Sequence, residues 1–549
     1  MAEKSTFGID GKILGKLNFK AAIERIKTDL KTDFIVAPHL SCVIVDCQDE
    51  LINEVLTLLK SGTFSPSLPF VIDVPKKQRI RHLGLKRQFA NYSRPGGILH
   101  PYDRLVLQCL ADIAQEVIEP KLDRDICFSH QPSAADSSGR MFKSSRECWS
   151  SMQKQLSQLA IAHPNTVVLK ADIASCFQSI NQHTLVNNLE YLGYPKELIK
   201  PLESILTQAS VSRSSRGILQ GIFPSDLFGN FYLYPIDRKL KDRQIPAVRY
   251  VDDIVAFFKS GEECDKFLVE LASELRKLDL SLNEAKSFVS TPVGLLTNDP
   301  DLEILFQGAV AEAQELLSNE TYEVQSDYGF QAIWEDEEAN DEQNQEEIGP
   351  EIIEIAATQN LFDQTASYPD NMEEIERFCL PIFAKFESTY PLTHVLSRLE
   401  GSPSMSQIYY SYLSNFLDQD IVVEKITQVL TSRKCLFEWE YLWALATILR
   451  MSNAKDELVS SVLALAYEVK NEAVRAMCLI VVAKHGDLDR QKSVTEAGQT
   501  FTSEYVRGAI VFSARYMQKA IRKNVIDAYG SQTPLLKLIA ASTKLKGSV

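Results

Sequence analysis

The chain has 549 residues, 45% of them hydrophobic and 24% charged, with a formal net charge of −15 at pH 7. No apolar run of about 18 residues is available to span a bilayer, no signal peptide opens the sequence, and the 10 cysteines form no Cys-x-x-Cys, the closest pair being Cys42 and Cys47. These features argue against a membrane partner and a zinc site, and predict a cytoplasmic protein of about three domains with reduced, mostly buried thiols.

The negative charge is confined to one block. Residues 1–290 hold 37 basic and 34 acidic side chains, 291–380 hold 23 acids and the single base Arg377, and 381–549 hold 20 bases and 16 acids. The low pI therefore does not argue against a nucleic-acid partner.

In chain order, residues 1–100 read as an N-terminal extension leading into a basic segment. Val43-Ile-Val suggests a strand, and an apolar helix runs through Leu59. Val74-Pro-Lys-Lys-Gln-Arg-Ile-Arg81 is a basic run, a pattern that more often marks a solvated face than a ligand clamp. Thr166-Val-Val-Leu-Lys-Ala-Asp172 is a strand-like apolar run ending in a carboxylate, followed by Ile173-Ala-Ser-Cys-Phe177. Taken alone, Asp172 also has a plainer reading as a helix N-cap after a strand. The segment Gly217-Ile-Leu-Gln220-Gly221 offers two glycines for close backbone approach, and the apolar stretch to Asp237 reads as a helix. Ala247-Val-Arg-Tyr-Val-Asp-Asp-Ile-Val-Ala-Phe-Phe258 reads as a tight hairpin with Asp252 and Asp253 at its tip. A buried acidic pair is costly unless a cation neutralises it, and hard oxygen ligands suit Mg²⁺. Glu262–Leu278 is an amphipathic helix with Phe267, Leu268, Leu271 and Leu275 on one face, and Leu280-Ser-Leu-Asn283-Glu-Ala-Lys286 follows.

These four stretches, in this order, resemble the palm of a reverse transcriptase: an acid-plus-aromatic motif (Asp172, Phe177), a Gln-Gly motif, a Tyr-x-Asp-Asp motif and a Leu-Asn-x-x-Lys motif. The resemblance spans about residues 70–290; Val74–Arg81 and Pro101-Tyr-Asp-Arg104 resemble the fingers of that family less sharply. It implies an α+β fold of the right-hand polymerase type, with the N-terminal extension and fingers over 1–100 and the palm over 101–295. It also implies two Mg²⁺ ions, with Mn²⁺ as a substitute, held by Asp172, Asp252, Asp253 and the carbonyl of Ile173. Phe177 resembles a steric gate against a 2′-hydroxyl. Gln220, Gly221 and Tyr250 are implied to frame the incoming dNTP, Lys76 and Arg81 to clamp its triphosphate, and Lys286 to donate a proton to pyrophosphate. Where many relatives place Ser before Pro, this sequence has Pro224-Ser225, then Asp226, an acid electrostatically odd beside a template strand.

Residues 296–380 are expected to be an acidic linker, partly disordered, with Trp334–Gln345 as its least structured run. Residues 381–549 read as an all-α, HEAT-like domain, with helices over Phe437–Arg450, Asn453–Lys470, Asn471–His485 and Ser503–Tyr529. A palm followed by such a domain resembles the defence-associated, abortive-infection class of bacterial reverse transcriptases. That resemblance implies antiphage action, DNA synthesis that is either untemplated or copied from an RNA partner such as a small non-coding RNA, and assembly into trimers or hexamers. Priming from a protein hydroxyl would draw on Tyr409, Tyr410, Tyr412, Tyr505 or Tyr516, and deleting 381–549 is expected to leave a palm with weak primer extension. Two other readings compete: a retron or group II intron enzyme, and a non-catalytic nucleic-acid-binding scaffold.

Overall fold

The computed structural model of the chain describes residues 6–81, 89–133, 139–210, 214–298, 309, 350–367 and 371–545, and within these the side chains of 77–81, 89–91, 146, 296–298, 350–353, 366 and 544–545 are left aside. The expected disordered run Trp334–Gln345 lies outside the described residues.

Four short helices open the chain, among them Phe19–Asp29, Pro38–Asp46 and Gln48–Ser61. The strand expected at Val43–Val45 lies inside the second of these. Pro38 opens that helix at a position that needs no N–H donor, and Leu40, Val43 and Ile44 recur at helical spacing on its buried face, so packing overrides β-branched propensity. Strands β1 (Phe70–Arg81) and β2 (Phe89–Ile98) then form a separate antiparallel hairpin, from Phe70 opposite Ile98 to Arg81 opposite Phe89. Helix Pro101–Ile118 runs through the core. Its Arg104 is ion-paired to Asp33 (2.6 Å) and Asp29 (2.9 Å), all three buried.

The central sheet has the order β4-β5-β3-β6: Ala247–Tyr250, Asp253–Phe258, Val167–Asp172 and Phe288–Ser290, every pair antiparallel. Alternation along the strands splits the sheet's apolar residues. Leu169, Ala171, Ile254, Ala256 and Phe258 join the main core, together with helices Phe223–Tyr232 and Gly261–Lys277. Val168, Val248, Val255 and Phe257 join a smaller cluster with Met152, Leu156 and Ala160 of helix Ser145–Ala162.

From Pro350 onward the described residues form helices and the turns between them. Helices Pro350–Asp363 and Met372–Lys385 begin a series in which alternate helices pack side by side: Ser406–Leu413, Glu438–Arg450, Glu472–His485, Glu504–Ser513 and Pro534–Leu545. These recur at intervals of roughly 30 residues, the length of one two-helix repeat, with Asp420–Ser432, Asp456–Glu468, Leu488–Thr500 and Lys519–Tyr529 interposed as a second row. Asn471 caps helix Glu472–His485 by accepting from the Ala473 N–H, and Gly486 ends it. The single helix expected over Ser503–Tyr529 is instead two, broken by extended backbone at Met517 and Gln518.

The first row is a cradle rather than a tail. Trp439 Nε1 donates to the Phe34 carbonyl (2.7 Å), Asn471 Nδ2 to the Val71 carbonyl (2.8 Å) and Ser542 Oγ to Asp46 Oδ2 (2.7 Å). Tyr505 packs against His39 and Phe70, with ring centroids 4.4 and 4.0 Å away. This packing buries most of the tyrosines proposed as primers. Tyr409 donates to Glu376 (2.7 Å), Tyr412 donates to the Ser388 carbonyl (2.8 Å), and Tyr410 and Tyr505 are enclosed; Tyr516 is half-buried. Nine cysteines are buried and Cys435 is half-buried, all as free thiols. Among the described residues no helix is long and apolar enough to cross a membrane.

Candidate active site

Asp172 is the last residue of β3 and sits directly opposite Asp253, the first residue of β5, which also pairs with Tyr250 of β4. Val251 and Asp252 make the two-residue turn between β4 and β5. Such turns need positive φ, usually supplied by Asn or Gly. Here Val251 takes it, at +54°, a strained conformation for a β-branched residue. The surroundings enforce it. The Val251 N–H donates to Ser129 Oγ (2.9 Å) and its carbonyl accepts from Arg249 Nη1 (2.7 Å). Arg249 is itself locked, with Nε and Nη2 on the two carboxylate oxygens of Asp237 (2.6 and 2.5 Å) and Nη1 also on Asn230 Oδ1 (3.0 Å). Ser129 Oγ donates to the same Asn230 oxygen (2.9 Å). Arg249 and Asp237 are 0% and 1% exposed, a burial tolerable because both prongs and the remaining donors are satisfied.

Asp172 is held from the other side. Its Oδ2 accepts from Asn283 Nδ2 (2.8 Å), its carbonyl accepts from the Asn283 N–H (2.8 Å), and its own N–H donates to Ser287 Oγ (3.1 Å). Lys286 Nζ lies 3.4 Å from Asp172 Oδ1. The Leu280–Ser287 stretch thus wraps the end of β3, with Ile173 bridged to Leu282.

The carboxylates share one electrostatic neighbourhood. Burial pushes Asp252 up, with the Asp172 charge adding to the effect and Lys286 opposing it. Burial, then the Asp252 charge, pushes Asp253 up to about 6. Lys76 of β1 shares this electrostatic neighbourhood: burial, Arg94 and Lys286 press its ammonium down, while Asp252 and Asp172 hold it up. The side chain of Arg81 lies outside the described residues.

The remaining predicted residues divide. Phe177 is 7% exposed and lies against Gly229, where a Cβ would fall 2.8 Å from the ring. Gln220 accepts from Arg94 Nη1 (3.3 Å), and Gly221, at φ +90°, lets Phe34 approach so closely that a Cβ would sit 2.6 Å from its ring. Tyr250 turns away from the acids toward helix Ser145–Ala162: its hydroxyl donates to the Ser145 carbonyl (3.1 Å) and its ring meets Trp149 edge-on at 4.9 Å. Burial, with Asp29 adding, pushes Asp226 well up.

Among the described residues no three or more His, Cys, Asp or Glu side chains form a ready-made metal cage. The donor set is carboxylate and carbonyl oxygen without thiolate or imidazole, and burial, with neighbouring carboxylates adding, pushes Asp252 and Asp253 up. That set fits a hard divalent cation whose remaining positions are left to a phosphate substrate.

Residues 93–324 match the family model described as reverse transcriptase (RNA-dependent DNA polymerase). The chain carries a reverse transcriptase domain. Domains of this family are nucleotidyltransferases, and the four-stranded sheet with its acids at the β3 and β4–β5 ends lies within the matched segment. No curated protein matches the chain. Among solved structures it is similar to the telomerase of Candida albicans in complex with a TWJ fragment of telomeric RNA, at 12% identity over 71% of this chain and 65% of that one, with a TM-score of 0.29. It is also similar to the apo telomerase of Candida tropicalis, at 12% identity over 90% and 74% of the two chains, with a TM-score of 0.28. The chain thus spans 65% of the length of the first.

Around the motifs of the reverse transcriptase domain, sequence reasoning missed the support: Ser129, Asn230, Asp237 and Arg249 under the acidic turn, and Asp29, which accepts from the Phe223 N–H (3.2 Å) just after Gln220-Gly221. Arg249 and Asp237 carried a faint signal, since a charge inside an apolar strand must find a buried partner.

Proposed function

We propose that the chain is an RNA-directed DNA polymerase that adds dNTPs to a primer, with its catalytic centre on Asp172, Asp252 and Asp253. The observation that carries this reading is the facing of Asp172 and Asp253 across β3–β5, with Asp252 in the adjoining turn, inside the segment that matches the reverse transcriptases. Asp172, Asp252, Asp253 and the Ile173 carbonyl would hold the divalent cations, Mg²⁺ or Mn²⁺. When bound, such cations stabilise the attacking and leaving oxygens of phosphoryl transfer. Lys76 binds the triphosphate from the β1 side, Gln220 and Gly221 border the nucleotide, and Phe177 walls off the 2′ position of its sugar. Lys286 stands at Asp172 Oδ1, placed to give its proton to the departing pyrophosphate.

The biological role we propose is antiphage defence in the bacterial cytoplasm, by an oligomer working with RNA. It is supported by the succession of a polymerase domain and an all-helical two-row array. Residues 1–100 would be extension and fingers, 101–295 palm, and 381–549 the array.

Asp172→Ala and Asp252→Ala should each abolish cation-dependent dNTP incorporation and phage protection while circular dichroism and melting show an intact fold. Undiminished incorporation by either variant would overturn the assignment. Sequencing the nucleic acid that copurifies with the chain tests the defence reading: a retron or intron transcript as the bound RNA would replace it with a retroelement.

A further inference from the structure

We infer that Phe34 is a positioning residue for the incoming nucleotide: its ring is a wedge that sets the spacing between the β1–β2 hairpin and the Gln220-Gly221 turn, and Trp439 of the helical array holds the wedge in place. Both residues lie outside the segment matched to the reverse transcriptases, and their role rests on the reading of Gln220 and Gly221 as borders of the nucleotide.

Phe34 follows Asp33 in the turn between Leu30–Thr32 and helix Pro38–Asp46, and it is half-buried. Its side chain lies between two glycines. A Cβ on Gly221 would fall 2.6 Å from the ring, and a Cβ on Gly96 of β2 would fall 3.3 Å from Phe34 Cβ. Carbon atoms settle at about 3.5–4.0 Å, so a larger residue at Gly221 would have to displace the ring. The adjoining positions mesh in the same way, a Cβ on Gly97 falling 2.5 Å from Leu219 Cδ1. Arg94 stacks over the Phe34 ring, 4.6 Å from its centroid, and donates through Nη1 to Gln220 (3.3 Å). Phe34 thus meets Gly221 directly and Gln220 through Arg94.

The segment that carries the ring is tied on three sides. Asp33 takes both prongs of Arg104 (2.6 and 2.9 Å). Asp29 accepts from Arg104 (2.9 Å) and from the Phe223 N–H (3.2 Å), just beyond the Gln220-Gly221 turn. The Phe34 carbonyl accepts from Trp439 Nε1 (2.7 Å). Trp439 is 2% exposed, and its helix, Glu438–Arg450, packs on β1. An indole N–H enclosed this far keeps its acceptor, because losing it would leave a buried donor unpaired. The array therefore fixes the Phe34 backbone, and close packing passes that placement to Gly221. Since the ring bears on the border of the nucleotide rather than on the carboxylates, it governs dNTP affinity more than turnover.

The test is steady-state dNTP incorporation by full-length chains on a DNA primer annealed to an RNA template. Phe34→Ala should raise the KM for dNTP about tenfold with kcat within about twofold of the parent. Phe34→Met, which refills most of the volume, should bring KM back to within about twofold. Trp439→Phe keeps an aromatic ring and removes the donor, and should raise KM about threefold. Added to Phe34→Ala it should change little, because its effect passes through the ring. Parental KM in Trp439→Phe or in a folded Phe34→Ala, or a fall in kcat alone, would make Phe34 core packing and overturn the wedge. Should Phe34→Ala fail to fold, Trp439→Phe decides. Gln220→Ala separates the two readings. A raised KM there, beside parental KM in the Phe34 and Trp439 variants, sinks the wedge alone; parental KM in Gln220→Ala sinks the nucleotide border and the wedge with it.

Discussion

Asp237 and Arg249 lie 12 residues apart and grip each other through two short hydrogen bonds in a fully enclosed site. Their union ties helix Tyr234–Asp242 to β4, the strand that leads into the acidic turn. A third nitrogen of the same guanidinium holds the Val251 carbonyl, so one ion pair both anchors the strand and sets the turn.

Breaking that pair from one side strands a buried charge. Asp237→Ala or Arg249→Ala should destabilise the chain by about 3–5 kcal/mol in urea denaturation. Replacing both partners with apolar residues, Asp237→Leu with Arg249→Met, should cost much less than the two single changes combined. It should still suppress dNTP incorporation, because Val251 then lacks the donor that holds its left-handed backbone. Equal activity in the double variant would separate the pair from the turn.

Asp253 keeps its proton up to about 6 in the folded chain, against an ordinary value of 3.8. Between those values the unfolded chain has released a proton that the folded chain retains. The contribution of Asp253 to stability therefore falls as pH rises through that window and is level above it. Asp253→Asn should remove this fall, seen as a smaller difference between urea midpoints at about pH 4 and about pH 7 than in the parent. Mg²⁺ should raise the melting temperature of the parent more at neutral pH than in acid, since its ligands must be deprotonated, and Asp252→Asn should lose that response.

Phe177→Ala would open the space expected to exclude a 2′-hydroxyl, but it also strips a buried ring from Gly229, at a cost of about 3–5 kcal/mol. Phe177→Val is the better probe. Its ratio of ribonucleotide to deoxynucleotide incorporation should rise severalfold with the fold intact. An unchanged ratio would leave Phe177 as core packing.

Deleting residues 381–549 should not yield a working palm, contrary to the expectation from sequence. The deletion removes Trp439, Asn471 and Tyr505 and bares the hairpin and the N-terminal helices they cover. The truncated chain is expected to be insoluble or to bind a hydrophobic dye strongly. A soluble, monodisperse product with primer extension would contradict the cradle.

The sequence made the acidic turn and β3 legible because each is short, local and β-branched, with the acids at fixed positions relative to the apolar run. It also marked Asn471 and Gly486 as helix ends. What it hid depends on contacts far apart in the chain. Val43–Val45 looked like a strand because β-branched residues are ambiguous until their burial face is known. Ser129 carried no signal at all, since one serine hydroxyl supporting a turn 122 residues later has no local pattern. The break at Met517–Gln518 was equally silent, lacking proline or glycine to announce it.

The helical cradle makes the hairpin carrying Lys76 and Arg94 a passenger of the array. Helices Glu438–Arg450 and Glu472–His485 rest on β1, while Glu504–Ser513 and Pro534–Leu545 hold helix Pro38–Asp46. The place of the strand that carries Lys76 is therefore set by helices far along the chain as well as by its own partner strand.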